Sequence, residues 1–188
     1  AMADHRISSF ENIIYARRIG GDSININIPK LEWIPDINAI IDGKLMAGEI
    51  RINSPVVHIT VNQKSEAETV KKISQWPETK IGKLIIENPT LDFTKTSEKG
   101  TARINWKGTD NSFELEDLTI SNHPHPHFTA DKIRLSLRHF FYSNAKGRTF
   151  DAGEGQLNLL LSKVELEQNE VNEWDWKAII SKLEAKKF

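Results

Sequence analysis

Three groupings in the sequence have residue types and spacing that could carry chemistry. His123-Pro124-His125-Pro126-His127 sets three imidazoles at i, i+2 and i+4. On an extended strand they would share one face, a donor set suited to zinc or copper. The alternating prolines instead favour an extended, partly polyproline-like loop and remove ladder donors. No carboxylate stands at helical spacing to complete a known metal motif, so the string reads as a solvated loop. Asp151-Ala152-Gly153-Glu154-Gly155 holds a carboxylate pair, but such pairs catalyse only at a set separation with split pKa values. Its glycines fit a turn that enters the strand at Leu157. Glu114, Glu116 and Asp117 fit the wet face of a strand, and His58 and His139 stand alone. There is no Gly-x-Ser-x-Gly, Walker loop, His-Glu-x-x-His or Gly-x-Gly-x-x-Gly. The chain is expected to be no enzyme, with no catalytic residue, metal ligand or cofactor.

The third grouping is aromatic: Trp33, Trp76, Trp106, Trp174 and Trp176. Trp33 and Trp76 stand beside Pro35 and Pro77, where elements end. Indoles there suit plugs at the ends of a sheet core, and the polar N–H also suits sugar stacking or a membrane interface.

The elements that position these groups follow from periodicity. Ile24, Ile26 and Ile28 alternate with Ser23, Asn25 and Asn27; Ile50 and Ile52 alternate with Glu49, Arg51 and Asn53. Val57, Ile59 and Val61, then Ile133, Leu135 and Leu137, then Leu157, Leu159 and Leu161 repeat the pattern. Alternation of this kind predicts strands with one dry face and one wet face. Helix signals are few. Ser65-Glu66-Ala67-Glu68 is a capping box ahead of Val70 and Ile73. Pro35 to Asp42 reads as a short helical turn ending at Gly43. After Asn172, Trp176, Ile179, Ile180 and Leu183 fall at i, i+3, i+4 and i+7, which predicts a helix with one apolar stripe. These helices would act as covers for the sheet.

A repeat organises the middle of the chain. Gly48-Glu49-Ile50-Arg51-Ile52-Asn53-Ser54-Pro55-Val56-Val57-His58-Ile59-Thr60 aligns without gaps on a second copy 34 residues later, from Gly82 to Thr94. The pairs Ile50/Leu84, Ile52/Ile86, Val57/Leu91 and Ile59/Phe93 coincide, as do glycine, proline and the final threonine. Each copy reads as strand, Pro-marked bend, strand. Ile52 and Val57 are oddly spaced, so a kink or bulge at the bend would return both apolar pairs to one face. Leu118-Thr119-Ile120-Ser121-Asn122, followed by Pro124, is a weaker third echo. Stacked units of this kind build an elongated sheet.

Length and charge bound the rest. At 188 residues the chain fits one β-rich domain, residues 1–188, with Ala1-Met2-Ala3 resembling a cloning remnant on an excised piece of a longer protein. Its 25 basic and 26 acidic residues leave no excess for nucleic-acid binding. The absence of cysteine removes disulfides, Cys-ligated zinc and thiol nucleophiles.

The strings Gly43-Lys44-Leu45, Gly48 to Thr60, Ile81 to Thr94 and Phe113 to Asn122 resemble the AsmA-like family of bacterial envelope proteins, with a Gly-Lys-Leu lead-in and an I-x-I-x-x-P-x-V/L-x-I/F strand unit. Asn172-Glu173-Trp174-Asp175-Trp176 resembles that family's short Trp-bearing helix between sheet segments. The resemblance covers about Ile24 to Asn122 and rests on degenerate β-patterns. It implies a mainly β fold, a curved antiparallel sheet shaped as a taco or gutter, with two or three short covering helices. It further implies a periplasmic, non-enzymatic module related to bridge-like lipid transfer proteins, acting in outer-membrane biogenesis and joined to the inner membrane by an N-terminal anchor this sequence lacks. The expected partners are phospholipid or other acyl chains and further segments of the same polypeptide. The expected lipid-binding wall is Ile50, Ile52, Val57, Ile59, Leu84, Ile86, Leu91 and Phe93. The competing expectation is a structural or protein-interaction module with a closed core and no ligand.

Overall fold

A computed structural model describes residues 7–35, 44–62, 78–107, 110–121, 126–168 and 174–186. These residues form thirteen strands joined in one open, curved sheet, with no helix among them. β1 (Ser8–Ile19) and β2 (Asp22–Pro35) make a hairpin turned by Gly20 and Gly21. On its other side β2 pairs with β3 (Leu45–Asn53) along its C-terminal half and with β4 (Val56–Asn62) along its N-terminal half. β3 and β4 are therefore two lengths of one broken strand.

The same break recurs across the sheet. β5 (Thr79–Glu87) continues as β6 (Thr90–Ser97), and β7 (Gly100–Trp106) as β8 (Ser112–Ser121). β9 (His127–Arg138) continues as β10 (Phe140–Ser143), and β11 (Thr149–Asp151) as β12 (Gln156–Gln168). β13 (Trp174–Lys186) pairs only with β12 and forms the far edge. The breaks line up as a transverse seam. Ser54, Asn88, Asp110 and His139 hold positive φ there, at 51°, 50°, 65° and 49°.

A residue in that conformation does not continue the pleat, so alternation restarts beyond it. The bend expected at Pro55 and Pro89 is present, and it lets the oddly spaced apolar pairs share a face. Backbone bonds carry the ladder through the seam. Ser54 N–H donates to Glu87 O at 2.8 Å, Thr90 N–H to Pro55 O at 2.8 Å, and Asn88 N–H to Asn111 O at 2.8 Å. Asn111, only 2% exposed, completes it. Its Nδ2 donates to Lys107 O at 2.9 Å and its Oδ1 accepts from Arg138 N–H. Buried backbone groups that a break would orphan are thus satisfied.

Two sequence expectations are corrected. The sheet is mixed rather than antiparallel, because β3 runs parallel to β5 and β4 parallel to β6. The register of that pairing is the register of the repeat: Ile50 lies beside Leu84, Ile52 beside Ile86, Val57 beside Leu91 and Ile59 beside Phe93. Two copies of one unit lie side by side, in step and in the same direction. The glycine of the second copy has a steric reason, since a Cβ on Gly82 would come to 2.8 Å from Gly48 O, whereas one on Gly48 would meet only Ile34 Cγ2 at 3.9 Å. The second correction concerns the C-terminal helix, which is strand β13. The other two expected helices, at residues 65–73 and 36–42, lie outside the described residues, and Pro35 ends β2.

The helical spacing of Trp176, Ile179, Ile180 and Leu183 has a strand explanation. β13 pairs Ile180 with Leu161 and Lys182 with Leu160, which leaves Ser181 as an extra residue. Lys163 on β12 holds φ 52°, and the register shifts again between Ser162 and Glu165. The extra residue Ser181 brings Ile180 and Leu183, three apart, onto one face, while Trp176 and Ile180 are four apart by plain alternation, so the bulged strand imitates a helical period. Ser162 Oγ and Ser181 Oγ meet at 2.7 Å beside the irregularity.

Candidate functional site

Cross-strand register assembles the apolar residues into continuous rows. One runs from Phe10 through Leu31, Ile52, Ile86, Phe113, Leu135 and Leu159 to Leu183. Beside it runs Trp33, Ile50, Leu84, Leu115, Ile133, Leu161 and Ile180. Directly opposed residues point to the same side of a sheet, so each row is one stripe of a single face. Beyond the seam a third row joins Tyr15, Ile26, Val57, Leu91, Trp106 and Phe140. A fourth joins Ile24, Ile59, Phe93, Ile104, Tyr142 and Phe150. The eight expected wall residues all fall in these rows, two in each of β3, β4, β5 and β6.

The degree of burial separates this face from a closed core. All eight wall residues are half-buried, and of the first two rows only Leu115, at 7% exposure, is fully buried. The edges are open, with Phe10 at 46% and Leu183 at 61%. No second layer covers the face among the described residues.

The opposite face covers itself. Arg51 pairs with Glu49 at 3.3 Å and Glu87 at 3.6 Å, and Lys83 reaches Glu114 at 3.7 Å. Arg134 bonds Glu116 at 2.6 Å and Glu114 at 3.1 Å, while Lys132 bonds Glu116 at 2.8 Å. The hydrogen bonds from Lys132 and then Arg134 hold the Glu116 carboxyl below its ordinary value, against a smaller opposing effect of burial. Ile85 sits within this lattice, between Arg51 and Glu114 in register, and is 5% exposed. Long charged side chains bury it under their stems. An isolated isoleucine is thus better covered on the charged face than its apolar counterparts are on the dry one.

The other candidate groups resolve simply. Among the described residues no cluster of three or more His, Cys, Asp or Glu could hold a metal. His127 opens β9 opposite Ser121, and His123 and His125 lie outside the described residues. His58 Nδ1 stands 3.9 Å from Asp92 Oδ2 across β4 and β6, and His139 is a seam residue. Asp151 to Gly155 is the expected turn: Asp151 Oδ1 accepts from Gly153 N–H at 2.8 Å, and Ala152 O from Gly155 N–H at 2.7 Å. Glu114 and Glu116 take the wet face as expected. Trp33 and Trp106 lie in the apolar rows with buried indole N–H groups that lack a partner, while Trp176 is 71% exposed; Trp76 falls outside the described residues.

Sequence reasoning missed how far the face extends. Phe10 on β1 escaped notice because Asn12, at φ 55°, breaks the alternation of that strand. Ile180 and Leu183 fit a helical period in the sequence because the extra residue Ser181 breaks their alternation. The adjacent β-branched Ile179 and Ile180 were the available strand signal. Comparison of the chain with protein-family models and with curated proteins finds no match.

Proposed function

We propose that this chain is a non-enzymatic module of an AsmA-like envelope protein that shields or passes lipid acyl chains along its apolar sheet face. In this reading it works in the periplasm in outer-membrane biogenesis, within a longer polypeptide held at the inner membrane. The observation that supports it is the set of unbroken apolar rows on an open sheet, half-buried where a sandwich core would be dry. Exposed apolar surface on that scale calls for a ligand or a partner. The chemistry is burial alone. Each acyl CH₂ removed from water contributes about 0.8 kcal/mol, so a dozen contribute about 10 kcal/mol before ordering costs. Ile50, Ile52, Val57, Ile59, Leu84, Ile86, Leu91 and Phe93 form the middle of the wall, with eight strands on one side of the seam and seven on the other.

Native mass spectrometry of the gently purified chain, together with uptake of a fluorescent fatty acid, tests the reading. Co-purified lipid and saturable uptake are expected, with uptake lost in Leu84→Asp while circular dichroism still reports a sheet. No lipid and no uptake would overturn it. The second reading, a structural module that joins its neighbours by strand edges, is favoured by the exposed apolar residues of β1 and β13. It expects concentration-dependent association without lipid.

A further inference from the structure

Among the described residues β1, the three-residue β11 and β13 each pair on one side, and they differ in what they offer a partner. β13 is thirteen residues long and contains no proline. Trp176, Ile179, Ile180 and Leu183 are between 53% and 71% exposed along it. A long apolar edge of this kind is a template for further pairing, and lysines are the usual guard against it. β13 carries three, Lys177, Lys182 and Lys186, together with Asp175 and Glu184.

We propose that two copies of this chain pair along β13, antiparallel, about a twofold axis perpendicular to the sheet. The register comes from charge. One alignment sets Asp175 opposite Lys186 of the partner subunit and Lys177 opposite Glu184 of the partner subunit, each contact occurring twice by symmetry. A slip of one residue either way sets no described charge opposite its opposite. A slip of two sets Lys177 against Lys182 and Asp175 against Glu184 in one direction, and Lys177 against Lys186 in the other. Like charges directly opposed across strands are destabilising, and unlike ones are favourable. The guarding lysines therefore select one register instead of forbidding all.

The bulge agrees with this alignment. Ser181 is the extra residue relative to β12, and in the charge-matched register it lies at the twofold axis beside Ile180 of the partner subunit. The segments on either side, 174–180 and 182–186, remain free to form regular ladders. β1 offers a poorer match, with Glu11 as its one carboxylate against Arg17 and Arg18 and with Asn12 at positive φ in its middle. An axis perpendicular to the sheet keeps the apolar face of both copies on one side, with Leu183 opposite Ala178 of the partner subunit. The pairing stands or falls without any lipid.

Analytical ultracentrifugation of the chain over a concentration series tests it. Wild type should pass from monomer to dimer, and Lys177→Glu should weaken association about tenfold or more, as two attractive contacts turn repulsive. Lys177→Glu with Glu184→Lys should regain it, and Glu11→Lys on β1 should leave it unchanged. Since the chain has no cysteine, Ala178→Cys with Leu183→Cys, two positions opposed in this register, should give a disulfide-linked dimer on oxidation. A monomer at every concentration would overturn the proposal. So would a dimer indifferent to Lys177→Glu, one that responds to Glu11→Lys instead, failure of the double reversal to restore association, or failure of the cysteine pair to link.

Discussion

The pair β3 and β5 and the pair β12 and β13 have similar apolar content and opposite order. β3 and β5 keep one register from Leu45 beside Thr79 to Asn53 beside Glu87. β12 and β13 shift register twice within their length. The central pair is held from both sides, by β2 and by β8, so a slip there would displace every row of the face. The edge pair is held from one side and can absorb extra residues as bulges. Register is specified where neighbours on both flanks demand it and loosens where one flank is solvent.

The largest expected break in that contrast is at Gly82. A side chain there meets Gly48 O, a backbone atom that cannot turn aside. Gly82→Val should cost about 3–4 kcal/mol in urea unfolding, whereas Ser181→Val, at the edge bulge, should cost about 0.5 kcal/mol or less. Comparable losses at the two positions would mean that the central register is no more demanding than the edge. Asn111→Ala comes next. It removes the bonds that the buried Asn111 side chain makes to the part-buried Lys107 O and Arg138 N–H, and should cost about 1–2 kcal/mol. A third pair of variants compares equal chemistry at unequal burial. Ile86→Ala on β5 should cost about 1.5 kcal/mol, and Ile180→Ala on β13, at 65% exposure, about 0.5 kcal/mol.

These positions also show which parts of the fold were legible in the sequence. The repeat located the strand–bend–strand units of the centre and their apolar residues, but not that the two copies lie side by side with the aligned residues paired. The direction of the pairing was not legible, since alternation says which face a residue takes and nothing about strand polarity. The apolar wall could be named from the repeat, yet its extent could not, because Asn12 and Ser181 interrupt alternation where the face continues to the edges. At β13 one extra residue, Ser181, turned a period of two into a helical one. Irregularities decided by a neighbouring strand leave no mark in the strand's own sequence.

The smallest effect separates the centre from the edge by electrostatics. Glu116 on β8 and Glu184 on β13 both sit below the ordinary carboxylate value of 4.5. For Glu116 the cause is first the bond from Lys132, then that from Arg134; for Glu184 it is first the bond from Lys182. A carboxyl lowered by folding stabilises the native state above its unfolded value, and that contribution drains away as pH falls below 4.5 through the folded value. Glu116→Gln should therefore be the less stable protein near neutral pH, with the difference from wild type narrowing below 4.5. Glu184→Gln, compared at concentrations where the chain is monomeric, should show the same sign and a weaker trend. Its side chain is more exposed than that of Glu116, 38% against 24%, and has one bonded cation rather than two, so added salt should erase it first. Urea midpoints at neutral and acid pH, at low and high salt, measure both. Equal trends in the two variants would mean that the lattice around Glu116 acts as independent surface pairs, and that the charged face is no better ordered at the centre than at the edge.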